Sequence, residues 1–397
     1  MTEQTIPGLF QTNPVESRRA LRHAAGGSPT VIDEVTGTVI VLRYGDVDRL
    51  LTDARLRGVG LSFFDLMEIQ DGPLRDWYGG IMFTNEGRPH QRLRNLVGKA
   101  FSPRSVETMR PVIAAIVAER LAGATQGCDL VKALADVPLQ VMCRLLGVPD
   151  GDVPDFVAWV SALSPVFLFM TPDQIAAATA AITELLEYTT ALCERRGASP
   201  GDDLISGLIA VEHEGDRLTR PETSAMVANL LVAGHDTTSS QIACALLTLL
   251  TRPGIMKDVA GMEPSLIGSI VSEILRLEPS IEIAPRTLVD SIEIGGIERR
   301  AGTMVWLCTM TANIDPEVWR DPLVFNPRRF SSPEAPKLLT FGRGPHACLG
   351  AWLARLTLEE VIRAVAELAP KLIEEPTAID WVRGTGAYPA RLPVALH

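Results

Sequence analysis

Phe341–Gly350 reads FGRGPHACLG: one cysteine, Cys348, in a loop with three glycines, Gly342, Gly344 and Gly350. A segment with helical apolar spacing, Leu349–Leu368, follows directly. Glycines at this density allow a tight turn that brings backbone N–H groups close to a side chain. The helix behind the loop points the positive end of its dipole at the same sulfur. Both effects favour a thiolate over a thiol. A thiolate presented in this way is suited to hold a haem iron, toward which it pushes electron density. Taken alone, the ten residues also describe a glycine-rich turn around a buried free cysteine.

Outward from this loop, the longest helical pattern is Thr223–Thr251. Its length approaches that of a membrane span, but a polar run, His235-Asp236-Thr237-Thr238-Ser239-Ser240-Gln241, fills its middle. That pattern predicts a buried helix with a polar site halfway along, not a bilayer segment. Helices are also predicted over 90–100, 105–122, 130–146, 154–163 and 172–196, with Gly and Pro punctuating them. Val39–Leu42 reads as a strand, and after Pro279 the chain turns to strands and Pro-rich loops. The expected fold class is mostly α with a smaller β-rich part, in one domain over 1–397.

Composition narrows the partners. Lys and Arg number 37 against 48 Asp and Glu, a formal charge of 37 − 48 = −11. That balance disfavours nucleic acid. Met1–Phe10 has no basic stretch leading into an apolar run, so neither a signal peptide nor a membrane anchor is expected. Six cysteines, Cys128, Cys143, Cys193, Cys244, Cys308 and Cys348, are scattered without pairing or metal-site spacing. Reduced thiols in a cytoplasmic protein are the expectation.

FGRGPHACLG, with AWLAR after it, resembles the cysteine-ligand loop of the cytochrome P450 family, the soluble bacterial, ferredoxin-dependent type in particular. The resemblance implies the cytochrome P450 fold and a haem b (iron protoporphyrin IX) cofactor. It makes Cys348 the axial iron ligand, with Phe341 near the sulfur, Gly342 and Gly350 shaping the loop, and His346 on a haem propionate. Three more segments match in order. Ala233–Thr238, AGHDTT, is similar to the family's oxygen-activation segment. There Asp236 and Thr237 would pass protons to bound O2, while Ala233 and Gly234 let the helix approach the haem; His235 occupies a variable position. Cleaving O2 needs protons delivered within an apolar pocket, which a carboxylate and a hydroxyl can do. Thr237 could instead only bond back to the carbonyl one turn earlier. Glu273 and Arg276 in SEILRLEPS, with Arg329 in FNPRRF, resemble the family's structural Glu-x-x-Arg network. His90 and Arg94 in PHQRLR, and Arg286 in APRTL, match propionate anchors; Arg forks suit buried anions.

By the same resemblance an apolar pocket is lined by Phe63, Phe64, Leu66, Met67, Trp77, Ile81, Met82, Phe83, Val166, Phe167, Leu168, Ile281 and Ile283, with Glu282 facing solvent. The implied activity is monooxygenation: one atom of O2 enters an apolar terpenoid, steroid, polyketide or aromatic natural product, by hydroxylation or epoxidation. Since the haem domain accounts for the chain's length, electrons are expected from a separate ferredoxin and its reductase, steered by Lys99, Arg104 and Arg343. A monomer is expected. Two other readings are a haem-thiolate isomerase or dehydratase needing no external electrons, and a non-catalytic haem sensor or carrier. The Asp236–Thr237 pair favours the oxygenase over both.

Overall fold

The computed structural model describes residues 4–211, 216–259 and 261–396; the first three residues of the Met1–Phe10 segment therefore lie outside the described residues. The longest helix, Arg220–Leu250, starts three residues before the predicted Thr223 because Thr219 and Glu222 cap it reciprocally. The Thr219 hydroxyl accepts the Glu222 N–H at 3.3 Å, and Glu222 Oε2 accepts the Thr219 N–H at 2.7 Å. Such a box satisfies two donors that a helix start leaves orphaned. Helices Val137–Leu146, Pro172–Ala198, Pro264–Leu277 and Ala351–Glu367 pack around it, which is why its apolar residues run around most of its circumference.

Two predicted helices are each broken in two. The 105–122 segment divides into Pro103–Glu107 and Arg110–Leu121, and 130–146 into Leu130–Leu134 and Val137–Leu146. Prolines explain both breaks. Pro111 and Pro138 have no N–H for the carbonyl four residues earlier. Those carbonyls belong to Glu107 and Leu134, where the first pieces end.

Six strands form the main sheet, in the spatial order Thr5–Ile6, Thr30–Asp33, Val39–Val41, Met304–Cys308, Ile283–Leu288 and Leu56–Arg57. Met304–Cys308, with its valine and tryptophan, is centrally placed and largely buried. It pairs antiparallel with Ile283–Leu288, setting Arg286 opposite Val305. Leu56–Arg57 closes the edge, with Leu56 opposite Leu288. A further hairpin, Trp381–Arg383 with Ala387–Pro389, lies against the long helix. Its attachment is local: Cys244 Sγ donates to Ala387 O at 3.4 Å, and Ala387 N–H to Ser280 O at 2.9 Å. Among the described residues no helix is long and apolar enough to cross a membrane.

Candidate active site

The cysteine loop is closed by its own backbone. Cys348 N–H donates to Phe341 O at 2.8 Å, and Gly342 N–H to Leu339 O at 2.8 Å. Gly342 and Gly344 sit at φ +65° and +71°, where side chains other than glycine's are strained. A Cβ on Gly344 would also lie 3.1 Å from Leu51 O. Gly350 has an ordinary φ of −83° at the start of Ala351–Glu367; its contribution is an N–H directed at the Cys348 sulfur. The Arg355 guanidinium lies 5.3 Å from the Phe341 ring centre.

Cys348 lies deep in the fold yet its side chain is accessible, whereas Cys143, Cys193, Cys244 and Cys308 are buried. Burial pushes the Cys348 thiol above its ordinary pKa, opposed by the Gly350 N–H and the Arg94 charge. The donors expected from the sequence are present, but desolvation outweighs them. A thiolate there calls for further positive charge, such as a metal ion supplies.

Beside the loop is a group of basic side chains, His90, Arg94, Arg286 and His346, with the Glu86 carboxylate at its edge. His90 is buried with its ring centre 4.3 Å from that of His346. Burial, then the charges of His346 and Arg94, push its pKa down to about 4. Arg94 is half-buried, and burial lowers its pKa while Cys348 works the other way. Arg286 is buried; its Nη1 donates to Pro285 O at 2.8 Å, and it has no carboxylate ion-pair partner among the described residues. Guanidiniums this desolvated need anionic acceptors. The two propionates of a haem fit this cradle, and its iron fits the thiol beside it.

On the long helix, Ala233 is exposed on the face that also carries Thr237. The Thr237 hydroxyl donates to Ala233 O at 3.0 Å, the local bond considered above. Asp236 is partly accessible, 3.6 Å from Nε2 of the buried His235. Burial, then the Asp236 charge, raises the Tyr388 hydroxyl. Gly234 departs from its expected role of admitting haem: a Cβ there would lie 3.1 Å from Met142 Cγ, so its smallness serves packing against Val137–Leu146. Gln241, the last residue of the polar run and one turn beyond Thr237, has a structural contact that the run alone does not reveal. Its amide donates to Glu278 O at 3.1 Å and accepts the Ser280 N–H at 2.8 Å.

Glu273 and Arg276 are fully buried and joined by two 2.8 Å bonds. Arg329 Nε donates to both Glu273 oxygens at 3.0 and 3.1 Å. The network reaches the cysteine loop through Asn313, a residue the sequence offered no motif to find. Arg276 Nη1 donates to Asn313 O at 3.0 Å. The Asn313 side chain then donates to Thr340 Oγ1 at 2.8 Å and accepts the Leu339 N–H at 2.9 Å.

The apolar list divides. Phe63, Phe83, Phe167, Leu168, Ile281 and Ile283 keep accessible surface, and Met82 a little. Phe63 meets Phe169 edge-on at 5.3 Å, and Phe83 meets Phe167 at 5.9 Å. Phe64 and Val166 do not line a pocket: both are wholly enclosed in the core, Phe64 stacked on Tyr78 at 4.5 Å. Trp77 is likewise a core residue, and Ile81 is buried in the core with one side on the cleft between Leu93 and Met226. Leu66 points outward, 64% exposed. Glu282 does not face solvent. It is buried, pairing with Arg18 at 3.2 Å and Arg383 at 2.7 Å, because the N-terminal helix Pro14–Ala25 and the 381–389 hairpin cover that side of the strand. Arg343 is paired with Asp48, while Lys99 and Arg104 are exposed. A cleft of about 620 Å³ between Ile81, Leu93 and Met226, rimmed by the Arg92 ion pairs to Asp216 and Glu222, includes neither Cys348 nor the cations beside it.

The sequence profile described as Cytochrome P450 matches residues 62–261 and 264–365. Luteothin monooxygenase of Streptomyces thioluteus is 33% identical over 402 residues, covering 98% of this chain and 97% of that protein. Vitamin D(3) 25-hydroxylase of Pseudonocardia autotrophica is 37% identical over 366 residues, covering 89% and 86%. The crystal structure of CalO2 superposes with a TM-score of 0.88 at 28% identity, covering 96% of this chain and 97% of that one. Matches of this extent, on a chain whose one accessible deep thiol adjoins a cradle for two carboxylates, place it in the cytochrome P450 family, as a haem-thiolate monooxygenase that carries haem b.

Proposed function

We propose that this chain inserts one atom of O2 into an apolar natural product by hydroxylation or epoxidation, with electrons from a separate ferredoxin and its reductase. The observation that carries the reading is Cys348, deep but accessible beside Arg94 and the Gly350 N–H. When bound, haem supplies the activation of O2 and the oxygen transfer. The chain's own residues do the rest. Cys348 would hold the iron, and His90, Arg94, Arg286 and His346 would take the propionates. Asp236, partly open to water, would take up protons and pass them to the Thr237 hydroxyl, which would hold them on the apolar side of the long helix. Phe63, Met82, Phe83, Phe167, Leu168, Ile281 and Ile283 exclude water and offer an apolar surface. Relatives named for luteothin and vitamin D(3) support a small organic substrate. The reading includes a cytoplasmic monomer without a nucleic-acid partner, in keeping with the charge of −11.

Cys348→Ala or Cys348→His should abolish the red-shifted absorption of the reduced carbonyl complex, and substitution of the other five cysteines should leave it in place. A library screened for the spin-state change of the Soret band then identifies substrates. With a surrogate ferredoxin and reductase, substrate-dependent NAD(P)H consumption should give an oxygenated product; consumption with none would sink the monooxygenation of that compound class.

A further inference from the structure

Glu86 stands where three segments meet. It directly precedes helix Gly87–Gly98, which carries His90 and Arg94. Its Oε1 accepts the Gly58 N–H at 2.6 Å. Gly58 follows strand Leu56–Arg57, which pairs with Ile283–Leu288 so that Arg57 opposes Thr287, the neighbour of Arg286. Oε2 of Glu86 lies 3.0 Å from His346 Nε2 in the cysteine loop. A Cβ on Gly58 would come within 3.3 Å of Oε1, so the carboxylate is pressed close to that backbone. The Glu86 charge also works against the depressed basicity of both His90 and Arg286. One carboxylate thus meets every segment that brings a basic side chain to the cradle: it bonds the Gly58 N–H, lies against His346 Nε2 without a hydrogen bond, and begins the helix that carries His90 and Arg94.

From this juxtaposition we infer that Glu86 is a positioning residue for the haem. It sets His90, Arg94, Arg286 and His346 in register with one another and supplies the counter-charge that lets four cationic or ionisable groups stay close. The inference rests on reading those four as propionate anchors. A carboxylate that served only as an unfavourable neighbour of the propionates would have the opposite effect on haem retention, which makes the sign of the change decisive. For the partners that orient metal ligands, removal costs roughly 10–100-fold in affinity, and a carboxylate that orients propionate-binding groups acts in the same sense.

The test uses purified holoenzyme and two variants, Glu86→Ala and Glu86→Gln. Haem loss is followed by transfer to excess haem-free globin, alongside the iron midpoint potential and the spectrum of the reduced carbonyl complex. Glu86→Ala should lose haem faster, on the order of tenfold. Glu86→Gln should lose it at an intermediate rate, since its amide oxygen still accepts the Gly58 N–H. Both should raise the midpoint potential by removing a negative charge near the haem, and both should keep the thiolate-ligated band. Unchanged or slower haem loss in Glu86→Ala overturns the inference, as does an unshifted potential. If the alanine variant does not fold, parent-like haem loss and potential in Glu86→Gln overturn it equally. Arg286→Met tests the underlying reading separately: parent-like haem retention there removes Arg286 from the anchors, whatever Glu86 does.

Discussion

Thr237 spends its hydroxyl proton on the Ala233 carbonyl, which leaves the oxygen's lone pairs as acceptors. Such a bond is worth only about 1 kcal/mol net, so the hydroxyl is free to exchange it during a reaction. A proton holder of this kind matters for splitting O2, whereas O2 that is reduced without being split leaves as hydrogen peroxide and can take its two protons from water. Thr237→Ala should therefore go on consuming NAD(P)H and O2 while the product formed per NAD(P)H falls, on the order of tenfold or more. Thr237→Ser should restore it. Comparing oxygenated product with NAD(P)H oxidised checks this, and an unchanged ratio would remove Thr237 from proton delivery. At this scale the closed loop around Cys348 and the Thr237–Ala233 bond are legible in the sequence because both are local. Glu282 is not: flanked by Ile281 and Ile283, it reads as the wet side of an alternating strand, and only the fold reveals that Arg18 and Arg383 cover it.

Between elements, the Glu273–Arg276–Arg329 group works through Asn313 to fix Leu339 and Thr340, the residues just before Phe341. A buried carboxylate deprived of a partner is costly, about 3–5 kcal/mol. Arg276→Met should accordingly express with little incorporated haem and unfold at markedly lower urea; full haem content at parent stability would show that the network does not brace the loop. The Glu-x-x-Arg spacing was readable because both residues lie on one helix face. Asn313 was hidden, since a single amide between distant segments carries no periodicity. The helix breaks at Glu107 and Leu134 were readable in principle from Pro111 and Pro138, but apolar spacing continues across both prolines and masks them.

For the molecule as a whole, a formal charge of −11 makes local positive patches stand out as places for an acidic partner. Lys99 and Arg104 are exposed, whereas Arg343 is already countered by Asp48. Charge reversal at Lys99 and Arg104 should slow reduction by an acidic ferredoxin and flatten its dependence on ionic strength, as read by stopped-flow absorbance at several salt concentrations; rates indifferent to the reversal would place the electron donor elsewhere. The Arg18–Glu282 and Arg383–Ser17 contacts have a consequence of another kind. They join positions separated by 264 and 366 residues. During synthesis Arg18 emerges long before either Glu278 or Glu282 exists, and Ser17 must wait for Arg383 near the other end. The helix Pro14–Ala25 can meet Val31 and Ile40 early, but its polar contacts to Glu278, Glu282 and Arg383 form only once those later segments have been made.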